Sequence, residues 1–196
     1  MLRLRHHRRL LPCATYIALI IVNTFLASAL LPLHAQDMPK APQAQIFPLT
    51  PTPGYFTEPA IVVNPMNPQQ VVGVFQDNAH AAYSQDAGRS WQVADGVAPK
   101  NFRVSGDVSV AFDNQGHAFI CYIAFDKLGS FNYWARGAAR NGIFVRRSLD
   151  GGKTWEADDV PVAENPSEPG IPFEDKPYIV ADNSKGPYAG NLYVGW

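Results

Sequence analysis

The phrase Ser-x-Asp-x-Gly-x-(Ser/Thr)-Trp occurs twice in this 196-residue chain, as SQDAGRSW at 84–91 and as SLDGGKTW at 148–155. A unit repeated at that spacing restricts a chain to stacked or radially arranged modules. Three inner segments run in register: PAIVVNP at 59–65, DVSVAFD at 107–113 and KPYIVAD at 176–182. Each reaches an Asn or Asp that starts a turn. A second apolar run follows each of them: Val71 to Phe75, Ala118 to Phe125, and Leu192 to Trp196. In the first two units a third run, His80 to Tyr83 and Ile143 to Arg147, leads into the phrase, and a fourth is expected from its tryptophan. Short β-branched and aromatic runs lie between Asn, Asp, Gly and Pro clusters, with no sustained helical period. That pattern predicts an all-β chain. Four antiparallel strands per unit predict the blades of a β-propeller.

The expected limits are 59–97 for blade 1, 106–162 for blade 2 and 175–196 for a partial blade 3, with no helix outside the N-terminal segment. Closed propellers typically have about four to eight blades. About two and a half are legible, so the chain reads as the N-terminal fragment of a longer propeller. An open stack of blades leaves an apolar face and a free strand edge in water.

Residues 1–35 read as a signal peptide. Arg3, Arg5, Arg8 and Arg9 precede a mostly apolar run from Leu10 to Leu33, and small residues follow. Cleavage after Ala35 is favoured over cleavage after Ala29, and an uncleaved membrane anchor is the alternative. The expected location is therefore secreted or periplasmic, with membrane contact only through an uncleaved signal segment. Residues 36–58 carry Pro39, Pro42, Pro48, Pro51 and Pro53 and read as an extended spacer. Four of the 16 Lys/Arg lie in the signal, which leaves 12 against 17 Asp/Glu, a net of −5. An acidic surface excludes nucleic acid as the expected partner. The mature chain keeps one cysteine, Cys121, inside an apolar run, where a buried small hydrophobe is expected and no internal disulfide can form.

The phrase has a mechanical reading. Asp and Ser side chains accept hydrogen bonds from backbone amides just ahead and close a turn. Gly88 and Gly152 stand where such a hairpin needs φ > 0. Trp91 and Trp155 then bring a large ring to the neighbouring blade. Ser84, Asp86, Gly88 and Trp91, with Ser148, Asp150, Gly152 and Trp155, are thus expected to be structural. The same acid at the same place in two blades would give two equivalent sites, which catalysis does not need.

The phrase resembles the Asp-box, or BNR repeat, of the sialidase-like propellers. SLDGGKTW matches fully and SQDAGRSW matches at every defining position. Together with GDVSVAFDNQGHAF and DKPYIVADNSKGPYAGNLYVGW, the pattern over 55–196 is similar to secreted bacterial sialidase-like proteins. The resemblance implies the fold strongly and the activity weakly. Sialidases open their first blade with a Phe/Tyr-Arg-Ile-Pro motif whose arginine helps clamp the substrate carboxylate. An Asp then acts as acid/base and a Glu-activated Tyr as nucleophile. Here the matching stretch is Tyr55-Phe56-Thr57-Glu58-Pro59-Ala60, with no arginine and with an acid beside the proline. Phe102-Arg103-Val104-Ser105 is a weaker candidate, in the wrong blade and without the proline. No complete catalytic set is expected in this chain.

In a four-stranded blade the first–second and third–fourth turns lie at one pole, and the second–third loops and inter-blade links lie at the other. The phrases mark the first pole, so ligand contact is expected at the second. There Asp126, Tyr133, Trp134 and Arg136 are the candidate ligand-binding residues: two aromatic faces for a sugar or apolar side chain and two charges to orient a polar group. Glu174-Asp175 is read as a solvated acidic turn paired with Lys176. His80 and His117 have no metal-ligand spacing, and no cofactor is expected. The favoured function is binding of an extracellular glycan or protein. The alternative is an exo-α-sialidase-type glycoside hydrolase whose remaining catalytic residues lie beyond the C-terminus.

Overall fold

The computed structural model describes residues 43–50, 57–76, 79–94, 97, 99–100, 102, 104–126, 140–165 and 173–196. The strands all lie in the unit formed by residues 46–196. The described residues form ten strands: β1 (Ala60–Val63), β2 (Val71–Phe75), β3 (His80–Ser84), β4 (Gln92–Val93), β5 (Val104–Phe112), β6 (Ala118–Phe125), β7 (Asn141–Ser148), β8 (Val160–Asn165), β9 (Tyr178–Ala181) and β10 (Leu192–Gly195). Among the described residues there is no helix.

The strands form two four-stranded sheets, β1-β2-β3-β4 and β5-β6-β7-β8, and a two-stranded sheet of β9 and β10. All pairs are antiparallel between sequence neighbours. The inner strands end alike. Asn64 accepts from the Met66 amide at 2.9 Å, Asp113 from the Gln115 amide at 2.9 Å, and Asp182 from the Ser184 amide at 2.9 Å. The chain is therefore an all-β protein of antiparallel propeller-type blades. In one respect the sequence reading needs correction: Trp155 does not begin the fourth strand of blade 2, which starts five residues later at Val160.

Burial explains why β6 reads as an unbroken apolar run. Its Ala118, Ile120, Tyr122 and Ala124 join a core with Val72, Val74, Ala81 and Trp155, between the first two sheets. Its Phe119, Cys121, Ile123 and Phe125 join a second core with Ile143, Val145 and Ile179, toward the β9–β10 hairpin. A strand covered on both faces has no reason to alternate. Cys121 is fully buried, and burial pushes its thiol up to about 12, so it packs as a small hydrophobe.

Among the described residues, one arginine lies against the first core. Arg146 is about as buried as the aliphatic residues around it, and its guanidinium meets the Asp159 carboxylate at 2.5 Å. The Tyr122 hydroxyl donates to the same carboxylate. Burial first, then Asp159, pushes the Tyr122 phenol far above its ordinary range, so it stays a neutral donor.

Candidate functional site

The two eight-residue hairpins have the same internal wiring. Ser84 Oγ accepts from the Gly88 amide at 2.9 Å, and Ser148 Oγ accepts from the Gly152 amide at 2.9 Å. Each serine hydroxyl also donates to its aspartate, Asp86 or Asp150, at 2.8 Å. Each aspartate in turn accepts the amide of Ser90 or Thr154 at 2.8 Å and its hydroxyl at 2.6 Å. Led by the Ser90 hydroxyl, these bonds hold the Asp86 carboxyl down at about 2. Burial opposes the same effect at Asp150, where the Thr154 and Ser148 bonds outweigh it and the pKa is again lowered. Carboxylates tied into their own turn in this way are poor proton donors at neutral pH.

The glycines are required by backbone geometry, with φ of 85° at Gly88 and 90° at Gly152. Gly152 is required by packing as well. A Cβ there would stand 2.3 Å from Val72 Cγ2, so the second hairpin sits directly on blade 1. Trp155 is buried in the core between the sheets, while Trp91 lies beside Gly73. The Trp91 indole donates to Gly88 O at 2.9 Å, whereas the Trp155 indole nitrogen is buried with no partner among the described residues.

At the opposite pole, where the inner strands begin, three residues hold equivalent places. Glu58, Asp107 and Lys176 each stand six residues before the turn residue Asn64, Asp113 or Asp182. Each has a positive φ: 47°, 45° and 53°. A non-glycine residue in that region costs on the order of 1–3 kcal/mol and is uncommon. Here it recurs at one position of three successive units. At Asp107 it coincides with a bulge in the β5–β6 pairing, a device that re-aims a side chain.

The three side chains converge. Lys176 Nζ pairs with the Glu58 carboxylate and lies 3.8 Å from Asp107 Oδ1. The Asp175 carboxyl lies close to that of Asp107, so two carboxyl groups meet beside one ammonium. Asp107 is only 9% exposed. Burial first, then Asp175, raises its pKa to about 6 against the opposing pull of Lys176. Glu58 chiefly raises that of Lys176, which stays charged. Glu58, Asp107 and Lys176 border a cavity of about 380 Å³ that Pro59, Pro177 and Tyr178 also line. Tyr178 is 71% exposed, an aromatic face beside the charged groups.

Of the four residues the sequence proposed for ligand contact, Asp126 follows β6, and its amide donates to Arg140 O at 3.0 Å. It therefore lies at the pole where β5 begins, because Val104 pairs with Phe125. Tyr133, Trp134 and Arg136 lie outside the described residues, as does Arg103. The acidic turn differs from its sequence reading. Glu174 accepts from Asn165 Nδ2 at 3.0 Å and from the Trp196 indole at 2.6 Å, which ties the second blade to the end of β10. The ion pairs of Lys176 go to Glu58 and Asp107, from the two preceding units.

Sequence reasoning passed over Glu58 and Asp107 because one looked like the end of a spacer and the other like the first residue of a strand. The signal was present in the register: counting six residues back from each turn residue finds all three positions. Elsewhere at this pole Arg140 stacks over Phe102 at 4.2 Å and faces Glu164 at 3.7 Å, along a polar groove of about 260 Å³. Among the described residues no group of His, Cys, Asp or Glu is placed to hold a metal ion, and no helix is long and apolar enough to cross a membrane.

The fold and its charged pole define a class: an all-β chain of four-stranded antiparallel propeller blades with an acid–lysine cluster where the inner strands start. No family model matches the chain, and no curated protein matches it. Among solved structures it is similar to the α-L-arabinanase of Penicillium chrysogenum, determined in complex with arabinobiose, at 17% identity and a TM-score of 0.47. The match covers 71% of this chain and 39% of that one, so the chain spans well under half of the arabinanase. The blade assignment stands on this chain's own strand order and register.

Proposed function

We propose that this chain contributes blades to an exported Asp-box propeller that binds an extracellular glycan at the pole where its inner strands begin. The observation that supports this most is the convergence of Glu58, Asp107 and Lys176, from equivalent positions of three units, on the rim of one cavity. Carboxylates accept hydrogen bonds from sugar hydroxyls and an ammonium donates to them. The exposed Tyr178 ring beside them offers the apolar face that a pyranose or furanose lays against an aromatic. Export is part of the proposal and rests on the Arg-rich, apolar residues 1–35. The Asp-box hairpins, at the other pole, are the structural part.

Titration of a panel of oligosaccharides into the chain, followed by calorimetry, tests the reading. Saturable binding of at least one glycan is expected, lost in Glu58→Ala and Tyr178→Ala with the unfolding midpoint little changed. Binding untouched by both substitutions would place the ligand elsewhere. An extracellular protein ligand at the same pole would instead show as binding of a polypeptide and of no glycan.

A second reading, a sialidase-type glycoside hydrolase, is favoured by one observation. Asp107, raised to about 6, keeps part of its proton near neutral pH, as a general acid must. A fluorogenic sialoside offered to the full-length protein, with the residues that follow Trp196 restored, tests it: turnover that Asp107→Asn abolishes would support a hydrolase, and no turnover would leave the binding function.

A further inference from the structure

Asp107 is set deeper than the two residues it meets. Glu58 and Lys176 keep 49% and 67% of their side-chain surface, whereas Asp107 keeps 9%. The bulge between Gly106 and Ser109 seats it in the wall of the cavity. Pro59, Val108 and Pro177, which follow the three converging residues, line the same wall. Neither proline has a backbone N–H to offer a carboxylate.

The charged groups that face Asp107 come from two segments. The residues before β1 bring Glu58, and those before β9 bring Asp175 and Lys176. Strands β1, β2, β6 and β9, which pack on β5, carry no charged side chain. Their titratable groups are Tyr178, at the cavity, and the Cys121 thiol and Tyr122 phenol, which burial keeps neutral. With Asp107 ionised, three carboxylates share one ammonium, a surplus of two negative charges; with Asp107 protonated the surplus is one. A sugar that carries a carboxylate meets this surplus as repulsion. The ligand class that suits the cavity is therefore an uncharged glycan.

Such a glycan, laid against Tyr178, takes the remaining water from Asp107. Losing water penalises a carboxylate far more than a carboxylic acid. The acid form also donates a hydrogen bond to a sugar oxygen, which the carboxylate cannot do. Sugar hydroxyls that could compensate a carboxylate find exposed acceptors at Glu58 and Asp175 instead. We propose that the site is proton-gated: Asp107 takes up a proton as an uncharged glycan closes over it, so the chain binds its ligand in a mildly acidic medium and releases it as the medium turns alkaline. This control rests on the glycan reading of the same cavity. Without ligand Asp107 holds its proton up to about pH 6. The complex holds it to a higher pH, so binding takes up protons between the two values and weakens as pH rises through them.

The test titrates neutral oligosaccharides and their sialylated or uronate counterparts into the full chain at about pH 5, 6, 7 and 8. Calorimetry in two buffers of different ionisation enthalpy reads the proton uptake, and unfolding midpoints at each pH check that the fold persists. A neutral glycan is expected to bind about tenfold more tightly at the lowest pH than at the highest, the change that a one-unit rise in the Asp107 pKa produces. In Asp107→Asn, whose amide does not ionise, affinity is expected to vary less than about twofold over the same range. In Asp175→Asn, which removes the carboxyl beside Asp107, the fall in affinity is expected at lower pH than in the parent. Binding of a neutral glycan that is flat with pH, a slope that survives Asp107→Asn, or a preference for the anionic counterparts would overturn the proposal and leave the glycan reading standing. No saturable binding of any glycan at any pH would overturn both.

Discussion

Asp86 and Asp107 are both blade aspartates, yet their surroundings move their titrations in opposite directions, to about 2 and about 6. Asp86, in the hairpin at one pole, accepts hydrogen bonds from the serines on either side, Ser84 and Ser90, and from nearby amides. Asp107, at the bulge in β5 toward the other pole, is buried against a second carboxyl group and near a lysine from another unit. The hairpin carboxylates are bound into the chain segment that carries them. Those at the start of the inner strands meet groups from other blades at the edge of a cavity. A repeat can therefore use the same residue type as a staple within its own turn at one end of a blade and as a link between units at the edge of a cavity at the other.

The largest effect expected is at the hairpin pole. Replacing Gly152 by valine forces a side chain into a left-handed backbone and against Val72. Strain of about 1–3 kcal/mol and overpacking of about 1–3 kcal/mol together predict roughly 3 kcal/mol or more of lost stability. Denaturant unfolding should show it, and Gly88→Val should cost less, since the nearest neighbour a Cβ would meet there is Trp91 at 3.6 Å. Equal losses at the two glycines would mean that the second hairpin does not key the blades together.

Next comes Asp107→Asn. In the unfolded chain this carboxyl ionises near 3.8, while in the fold it keeps its proton to about 6. The native state binds more protons between those values, so stability falls as pH rises through them. Asparagine removes the ionisation and should leave the variant more stable than the parent at pH 7 by on the order of 1–2 kcal/mol, with the difference vanishing below about pH 4. Unfolding at pH 4, 5, 6 and 7 reads this directly. The opposite trend, a parent that gains stability over that range relative to the variant, would mean that Lys176 rather than burial governs Asp107.

Much of the frame was legible because the features that set it are local. Alternation, turn residues and the repeated phrase located the inner strands, and Gly88 and Gly152 announced their positive φ through residue type alone. What escaped depends on contacts across the chain. Nothing adjacent to Glu58 in sequence shows that Lys176, 118 residues away, will lie beside it. Nothing near Arg146 shows that Asp159 and Tyr122 will surround it in the core between the blades. The fourth strand of blade 2 was placed too early for a related reason. Trp155 carries the β-propensity of an aromatic, but its ring is taken up in the inter-blade core, and beyond the single Glu156–Arg147 backbone bond the ladder with β7 starts at Val160.

A smaller effect is expected at Asp150, where alanine removes the acceptor of the Thr154 amide and hydroxyl and of the Ser148 hydroxyl. The site is exposed and water replaces part of what is lost, so roughly 1 kcal/mol is expected by denaturant unfolding. Glycan binding at the other pole should be unchanged. A variant that loses binding along with its hairpin would show that the two poles are coupled.

The smallest effect on stability, and the one that separates the poles most cleanly, is expected for Glu58→Gln. The Glu58–Lys176 pair joins the first and third units, yet both side chains are largely exposed, 49% and 67%. Solvent-exposed ion pairs contribute about 0–1 kcal/mol, so the unfolding midpoint should barely move. Glutamine keeps the length of the side chain and one acceptor oxygen while removing the charge that orients Lys176. If the pair serves mainly to hold the ammonium at the rim of the cavity, affinity for the bound glycan should fall about tenfold or more, the equivalent of about 1.4 kcal/mol. Lys176→Met should fall by a similar factor, and the double variant by little more than either single one, because both remove the same arrangement. Losses that simply add would mean that each residue meets the ligand on its own, and that the pair between the first and third units is incidental to binding.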